Sequence, residues 1–327
     1  METLAEGKTK DKNKDKKILV LIDGHAILHR AYHAIPPLTT RTGQLVNAVY
    51  GFCTMMFRII QELKPKYIAV TFDTEKPTFR HTAYVGYQAQ RPRLESELAE
   101  QIKIVQEVLQ AMDVPIYIAP GFEADDVIGT LTKQAQSPKF KAQNLEVIVV
   151  SGDRDFLQLV GKNVKVYAPI KGLSEARVFD EAVVKEHMGV EPAQIVDYKA
   201  LMGDASDNYP GVPGIGPKTA STLLAKYRTL EGVYKNLNKI EQPLVDKLAQ
   251  GHQSALLSQK LAKISTEVSV ELDLKASTTP KLVGNERLIA VLRELGFKSL
   301  VSRLQPTDVR SQKPKKRKSQ DQLRLVS

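Results

Sequence analysis

The sequence predicts an α/β fold, a mainly parallel sheet flanked by helices, with a helical region following after about Asp180. Three observations carry this reading. Short aliphatic runs at Ile18–Ile22, Tyr67–Phe72 and Glu146–Val150 have the length and composition of buried strands. Stretches with apolar residues at helical spacing separate them, and strands alternating with helices favour a parallel sheet. Beyond Asp180 the strand signal fades, and helical stretches follow one another between Gly/Pro turns.

In chain order, Ile18–Ile22 is a strand that ends in Asp23-Gly24, read as a turn. Val46–Leu63 is a helix broken by Lys64-Pro65-Lys66. Tyr67–Phe72 is a strand ending at Asp73. Leu94–Met112 is amphipathic, with Leu94, Leu98, Ile102, Val105, Val108 and Leu109 on one side. Val114–Ala119 is a short strand, Glu123–Gln134 a helix, Glu146–Val150 a strand ending at Ser151-Gly152-Asp153, and Val164–Ala168 another strand. Glu181–Met188, Pro192–Met202, Thr219–Lys226, Leu256–Lys263 and Glu286–Leu295 read as helices.

A chain of 327 residues with 42% hydrophobic content is long enough for one large or two moderate domains with a proper core. The apolar runs are far too short to span a bilayer, and the N-terminal residues lack the apolar segment of a secretion signal. Cys53 is the single cysteine, which excludes an internal disulfide and a cysteine-based zinc site. A soluble protein of a reducing, cytoplasmic compartment is expected. The net charge of +10 sits mostly at the ends: Ser302–Ser327 holds eight Lys/Arg against two Asp, and Met1–Lys17 six Lys against four acids. Residues 1–16 and 305–327 therefore read as basic arms, either solubilising or in non-specific contact with nucleic acid. Between them the expected organisation is an α/β core over 17–180 and a helical region over 181–304.

Three predicted strands end in aspartate: Asp23, Asp73 and Asp153. In open α/β sheets the functional crevice lies outside the carboxyl ends of the strands, so the three are placed to converge. Aspartate also begins turns and caps helices, which is the plainer reading of any one of them. Further acids follow the same geography: Glu123, Asp125 and Asp126 at a helix start, Asp155 two residues after Asp153, and Asp204 with Asp207 before a glycine-rich turn. Nine carboxylates in five segments repel one another unless cations sit among them. Oxygen donors without cysteine select Mg²⁺ or Mn²⁺, and a cluster of this size suggests two ions. Two metals about 4 Å apart are the usual device for in-line displacement at a phosphodiester.

Gly211-Val212-Pro213-Gly214-Ile215-Gly216-Pro217-Lys218-Thr219-Ala220 is not a Walker loop, because Pro217 separates Gly216 from Lys218 and no hydrophobic strand precedes it. It also lacks the spacing of a dinucleotide-binding loop. A tight glycine turn leading into a helix N-terminus instead suits phosphate oxygens irrespective of base. This element resembles the helix–hairpin–helix class of duplex-binding elements.

Taken together, Leu21–His25, Tyr32–Pro37, Phe72-Asp73, Pro77–His81, Glu123–Leu131, Gly152–Asp155, Leu201–Gly211 and Gly214–Ala220 resemble the 5′-nuclease domain of bacterial DNA polymerase I, within the flap-endonuclease superfamily. The resemblance runs from about Lys17 to Leu304. It implies a PIN-like nuclease core and a structure-specific 5′-3′ exonuclease and flap endonuclease acting on DNA and RNA primers. Asp23, Asp73, Glu123 and Asp125 would hold a first metal, and Asp125, Asp153, Asp155 and Asp207 a second, with Asp126 and Asp204 participating at one remove. The segment from about Thr74 to Met112 would arch over the site, with Arg80, Tyr87 and Arg91 at positions that touch phosphate or stack a base. Gly211, Gly214, Ile215, Gly216, Lys218 and Thr219 would form a helix–three-turn–helix element that grips duplex and can hold K⁺. The implied partners are DNA carrying a 5′ flap or 5′ end beside duplex, and primer ends, bound by a monomer near the bacterial nucleoid. One position departs: the family's arch lysine is Gln88 here. No polymerase domain follows, and the basic tail favours a stand-alone nuclease over the leading part of a longer chain.

Overall fold

The computed structural model describes residues 16–90, 96–171 and 175–306. Its centre is a six-stranded sheet of β1 (Lys17–Asp23), β2 (Tyr67–Thr71), β3 (Ile116–Tyr117), β4 (Leu145–Val150), β5 (Val164–Lys171) and β6 (Glu175–Phe179), in the order β3-β2-β1-β4-β5-β6. All neighbours are parallel except β5 and β6, which run antiparallel. The chain builds outward from β1 to β3, then returns to the other side of β1 with β4. The crevice of an open parallel sheet lies at the carboxyl ends where that order reverses, here between β1 and β4.

The aliphatic strands are continuous because both faces are covered. In β1, Leu19 and Leu21 enter one core while Val20 and Ile22 enter the other; β4 divides likewise, with Val147 and Val149 against Ile148 and Val150. Side chains of successive strand residues point to opposite faces, so a run of four aliphatics supplies two cores at once. The edge strand β6, with exposed or half-exposed side chains along most of its length, gave no such signal in the sequence.

The helices begin with a correction. Asp23-Gly24, read as a turn, starts α1 (Gly24–Ala34): the Asp23 carboxylate accepts from the Ala26 N–H and caps the helix. Glycine is a poor helix former, but a Cβ on Gly24 would lie 2.5 Å from the Phe72 ring, so close packing demands it. Then come α2 (Asn47–Leu63), stopped by Lys64 in the left-handed region ahead of Pro65, α3 (Phe79–Ala83), α4 (Ser96–Ala111) and α5 (Ala124–Ala135). The inner face of α4, including Leu98, Val105, Val108 and Leu109, is buried with α2 in one core, so most of this helix is a packing element.

The helical region contains α6 (Glu181–Met188), α7 (Ile195–Met202), α8 (Pro217–Tyr227), α9 (Leu230–Lys235), α10 (Leu244–Gln250) and α11 (His252–Ala262). From Ile264 the chain runs back along α5, where Thr130 and Gln134 hold Val268, Val270 and Leu272 through side-chain bonds to backbone. It then pairs Thr278 with Tyr67, and the Ile68 N–H donates to the Ser277 carbonyl at 2.7 Å. This edge of β2 is open because β3 reaches only Val70 and Thr71. The last helices, α12 (Glu286–Glu294) and α13 (Lys298–Leu304), bury Leu288, Leu292, Phe297 and Leu300 against the α/β core. The final stretch of the expected helical region therefore belongs structurally to the sheet domain. Among the described residues no helix is long and apolar enough to cross a membrane.

Candidate metal centre and nucleic-acid interface

The plain and the functional readings of the acids coincide. Asp23, Glu123 and Asp153 each cap a helix or helical turn, and each does so at the carboxyl end of the sheet. Capping fixes the carboxylates without using all their oxygens. Asp23 accepts from Ala26 N–H with one oxygen and from the Ser151 hydroxyl with the other, while Asp73 accepts from the Ala124 N–H at 2.7 Å. Ser151 and His25, whose Nδ1 accepts from the Asp73 N–H, support the acids.

All nine carboxylates feel one another or share a cation. Burial pushes the Asp23 carboxyl up to about 7, with the charges of Asp73 and Asp153 adding to it. Burial also carries Glu123 to about 7 against the pull of Arg80, helped by repulsion from Asp73, Asp126 and Asp207. Asp125 lies well above the usual carboxylate range, through burial first and then Asp126, Glu123 and Asp153. Asp207 is raised by burial and by Asp153 and Asp204. Carboxyls held in this state are anions short of positive charge, the electrostatic condition of a cation site. Oxygens of Asp155, Asp204 and Asp207 lie within 4.8 Å of one another, close enough to share an ion. The donor set is hard oxygen, which fits a divalent ion of the Mg²⁺ or Mn²⁺ type.

Two buried cations stand at the carboxylates among the described residues, and the sequence reading did not single out the first. Lys199 on α7 is buried and donates to Asp155 and Asp204. Burial alone would raise the Asp204 carboxyl, but the charge and hydrogen bond of Lys199, joined by the Ser206 and Asp207 N–H groups, hold it below the usual range. Helical spacing gave Lys199 no distinction from a solvent lysine. Arg80, expected at phosphate, is instead 1% exposed. All its donor groups are occupied: Nε by the Leu261 carbonyl, and the two terminal nitrogens by Asp126, Glu123 and the Lys263 carbonyl. A guanidinium has five N–H donors in a fixed fork, and here all five are spent clamping carboxylates and backbone carbonyls. Its partner Asp126 also accepts from the Ser265 and Glu123 N–H groups, so both of its oxygens are engaged.

Tyr87 is likewise buried at 3% exposure, with its hydroxyl donating to Glu123 at 3.1 Å, so its ring is not offered to a base. Arg91 lies outside the described residues. Of the expected arch, the turn Tyr84–Gln90 stands at the carboxylates. It is pinned there by Gln88 N–H to the Asp207 carbonyl (2.9 Å), by the Gln88 side-chain amide to Asp207 Oδ1 (2.9 Å), and by Asn208 to the Gly86 carbonyl (2.7 Å).

The glycine turn follows α7 and leads directly into α8. Gly214 has φ +79° and is exposed, as are Gly216 and Lys218, while Thr219 is half-buried. Pro217 has no N–H, so the first donors of α8 are those of Lys218 and Thr219. The other two expected contacts are structural. Ile215 is buried in the core, and Gly211 packs so tightly that a Cβ would fall 2.1 Å from the Gly203 nitrogen. Four of the six residues thus remain at or near the surface.

Known proteins identify the family. Residues 18–189 match the family model described as the 5′-3′ exonuclease N-terminal resolvase-like domain, and residues 190–283 the 5′-3′ exonuclease C-terminal SAM fold. The chain is 41% identical over 300 residues to DNA polymerase I of Bacillus caldotenax, covering 91% of this chain and 34% of that protein. It therefore spans about a third of the length of such polymerase relatives. It is 39% identical over 290 residues to a 5′-3′ exonuclease of Aquifex aeolicus, covering 87% of this chain and 94% of that one. In fold it resembles bacteriophage T5 5′-exonuclease with divalent zinc bound (TM-score 0.64, 18% identity, 88% and 97% coverage). It also resembles the catalytic core of Rad2 in complex with DNA substrate (TM-score 0.55, 15% identity, 89% and 92% coverage). With both family models matched end to end across the sheet domain and the glycine-turn region, the chain belongs to the 5′-3′ exonuclease family.

Proposed function

We propose that the protein is a structure-specific 5′ nuclease that hydrolyses a phosphodiester near the junction of a 5′ flap and duplex, leaving a 5′-phosphate and a 3′-hydroxyl. The observation that carries this is the cluster of mutually repelling carboxylates at the carboxyl end of the sheet, three of them close enough to share an ion. Asp23, Asp73, Glu123, Asp125, Asp153, Asp155 and Asp207 would hold two Mg²⁺ or Mn²⁺ ions. Such ions supply an activated water and stabilise the leaving oxygen. The protein's own residues set the geometry: Ser151 and the Ala26 N–H orient Asp23, and the Ala124 N–H orients Asp73. Arg80 clamps Asp126 so that the α5 first turn presents Glu123 and Asp125. Lys199 ties the Asp155 loop to Asp204.

The duplex would lie against Gly214, Gly216 and the start of α8, where backbone N–H groups and Lys218 meet phosphate without reading bases. A K⁺ ion at this turn and a role for RNA primer ends belong to the same reading, as do action as a monomer and a place near the nucleoid. The unpaired 5′ strand would pass the Tyr84–Gln90 turn, with Arg91 following it in sequence. The test is cleavage of a labelled 5′-flap duplex in Mg²⁺ by the wild type and by Asp155→Ala, beside gel-shift binding in Ca²⁺. Cleavage should fall by several orders of magnitude in the variant while binding holds or tightens, since the change removes a negative charge facing phosphate. Unimpaired cleavage by Asp155→Ala would overturn the site assignment.

A further inference from the structure

Outside the carboxylate crevice, α1 carries His25, His29 and His33 at four-residue intervals, a spacing that puts all three on one stripe of the helix. His25 is engaged at Asp73. The other two form a pair: His29 Nε2 and His33 Nε2 are 3.2 Å apart, with ring centroids separated by 4.5 Å and planes inclined at 67°. Both residues are exposed, while Ile27, Leu28 and Ala31 anchor the opposite side of the helix in the core. Tyr32 stands edge-on to His33 at 5.3 Å and is itself held by its hydroxyl to Glu97. The backbone beneath the pair is therefore fixed and one flank of His33 is braced.

We propose that His29 and His33 form an ancillary chelate for a late first-row divalent ion of the Zn²⁺, Ni²⁺ or Cu²⁺ type, distinct from the carboxylate site. Metal–imidazole bonds of about 2.0–2.1 Å place two nitrogens about 2.9 Å apart at a right angle and about 3.3 Å apart at a tetrahedral angle. The observed separation falls between these, so binding asks for ring rotation and little translation. As the pair stands, one nitrogen must carry a proton for the other to accept; a metal ion replaces that shared proton, and water completes its coordination. Imidazole nitrogen favours these ions over Mg²⁺, whereas the carboxylate crevice favours hard ions. The two sites therefore separate chemically, and the inference stands whether or not the nuclease reading does.

The test is titration of the full-length chain with Zn²⁺ in a large excess of Mg²⁺, followed by the ¹⁵N resonances of the histidine rings. His29 and His33 Nε2 should shift together at a common midpoint. His29→Asn and His33→Asn, changes at exposed positions that leave the core untouched, should each weaken the response of the remaining ring at least tenfold. Zn²⁺ that leaves both rings unshifted, or a single variant whose remaining ring responds as in the wild type, would overturn the proposal.

Discussion

Gln88 shows how much one side chain can settle at this site. It occupies the left-handed region at φ +52°, and its amide donates to Asp207 Oδ1 and to the Tyr87 hydroxyl. A neutral amide gives a weaker bond than an ammonium, and it brings no charge to a phosphate whose negative charge grows in the transition state. Gln88→Lys is therefore expected to raise the single-turnover rate about tenfold, equivalent to about 1.4 kcal/mol, with little change in flap affinity. Rapid-quench measurements at saturating enzyme check this; an unchanged rate would show that the cation is already supplied elsewhere, with Lys199, whose charge acts on Asp207, a candidate. At this scale the sequence was legible for acids and poorly legible for bases. Asp23, Asp73 and Asp153 announce themselves by ending aliphatic strands. Arg80 and Lys199 do not, because a buried clamp and a solvent-facing cation have the same letter and only the third dimension distinguishes them.

Elements were legible where burial was symmetrical and obscure where packing overrode propensity. The strands β1, β2 and β4 are aliphatic on both faces and were found almost to the residue, whereas α1 was hidden by a glycine that close contact with Phe72 requires. The glycine turn makes the same point in reverse, since its glycines look alike in sequence and differ in task. A Cβ placed on Gly216 would meet no atom within 4 Å, so Gly216→Val leaves the fold standing and, at the proposed duplex contact, would crowd the approach of phosphate to the α8 N–H groups. Gly211, at φ +61° and against the Gly203 backbone, admits no Cβ without displacement of the chain. Gly216→Val is expected to weaken duplex binding about tenfold at unchanged melting temperature. Gly211→Ala should lower stability by about 2–4 kcal/mol, the range of a strained backbone position joined to overpacking. Fluorescence anisotropy with duplex and chemical denaturation of both variants separate the two; equal loss of binding at equal stability would remove the distinction.

At the scale of the whole molecule, the carboxylate cluster is a cost to the fold that a bound divalent ion would offset. The sheet domain, the helical region and the returning segment that carries Lys263 and Ser265 each contribute a wall of it: Asp23 from β1, Lys199 from α7, and the backbone groups that complete the Arg80–Asp126 clamp. Such long-range closure could not be read from periodicity, and neither could α13, which the sequence reading did not mark as a helix. The consequence is measurable. Asp23 and Glu123 titrate near 7 in the folded chain, well above their ordinary values of 3.8 and 4.5, and Asp125 and Asp207 are displaced in the same direction. A folded carboxyl with a raised pKa binds its proton more tightly than the unfolded one does. Its contribution to stability is then complete below about pH 4 and is lost as pH rises from there through about 7. For Asp23 alone the loss is on the order of 4 kcal/mol. Metal-free protein should accordingly melt several degrees lower at pH 8 than at pH 5.5. Mg²⁺ competes with those protons, so its stabilising effect should be larger at pH 8 than at pH 5.5. Differential scanning calorimetry in EDTA and in Mg²⁺ at both pH values provides the four numbers. A Mg²⁺ increment equal at the two pH values would mean that the raised carboxyls and the ion do not share a site.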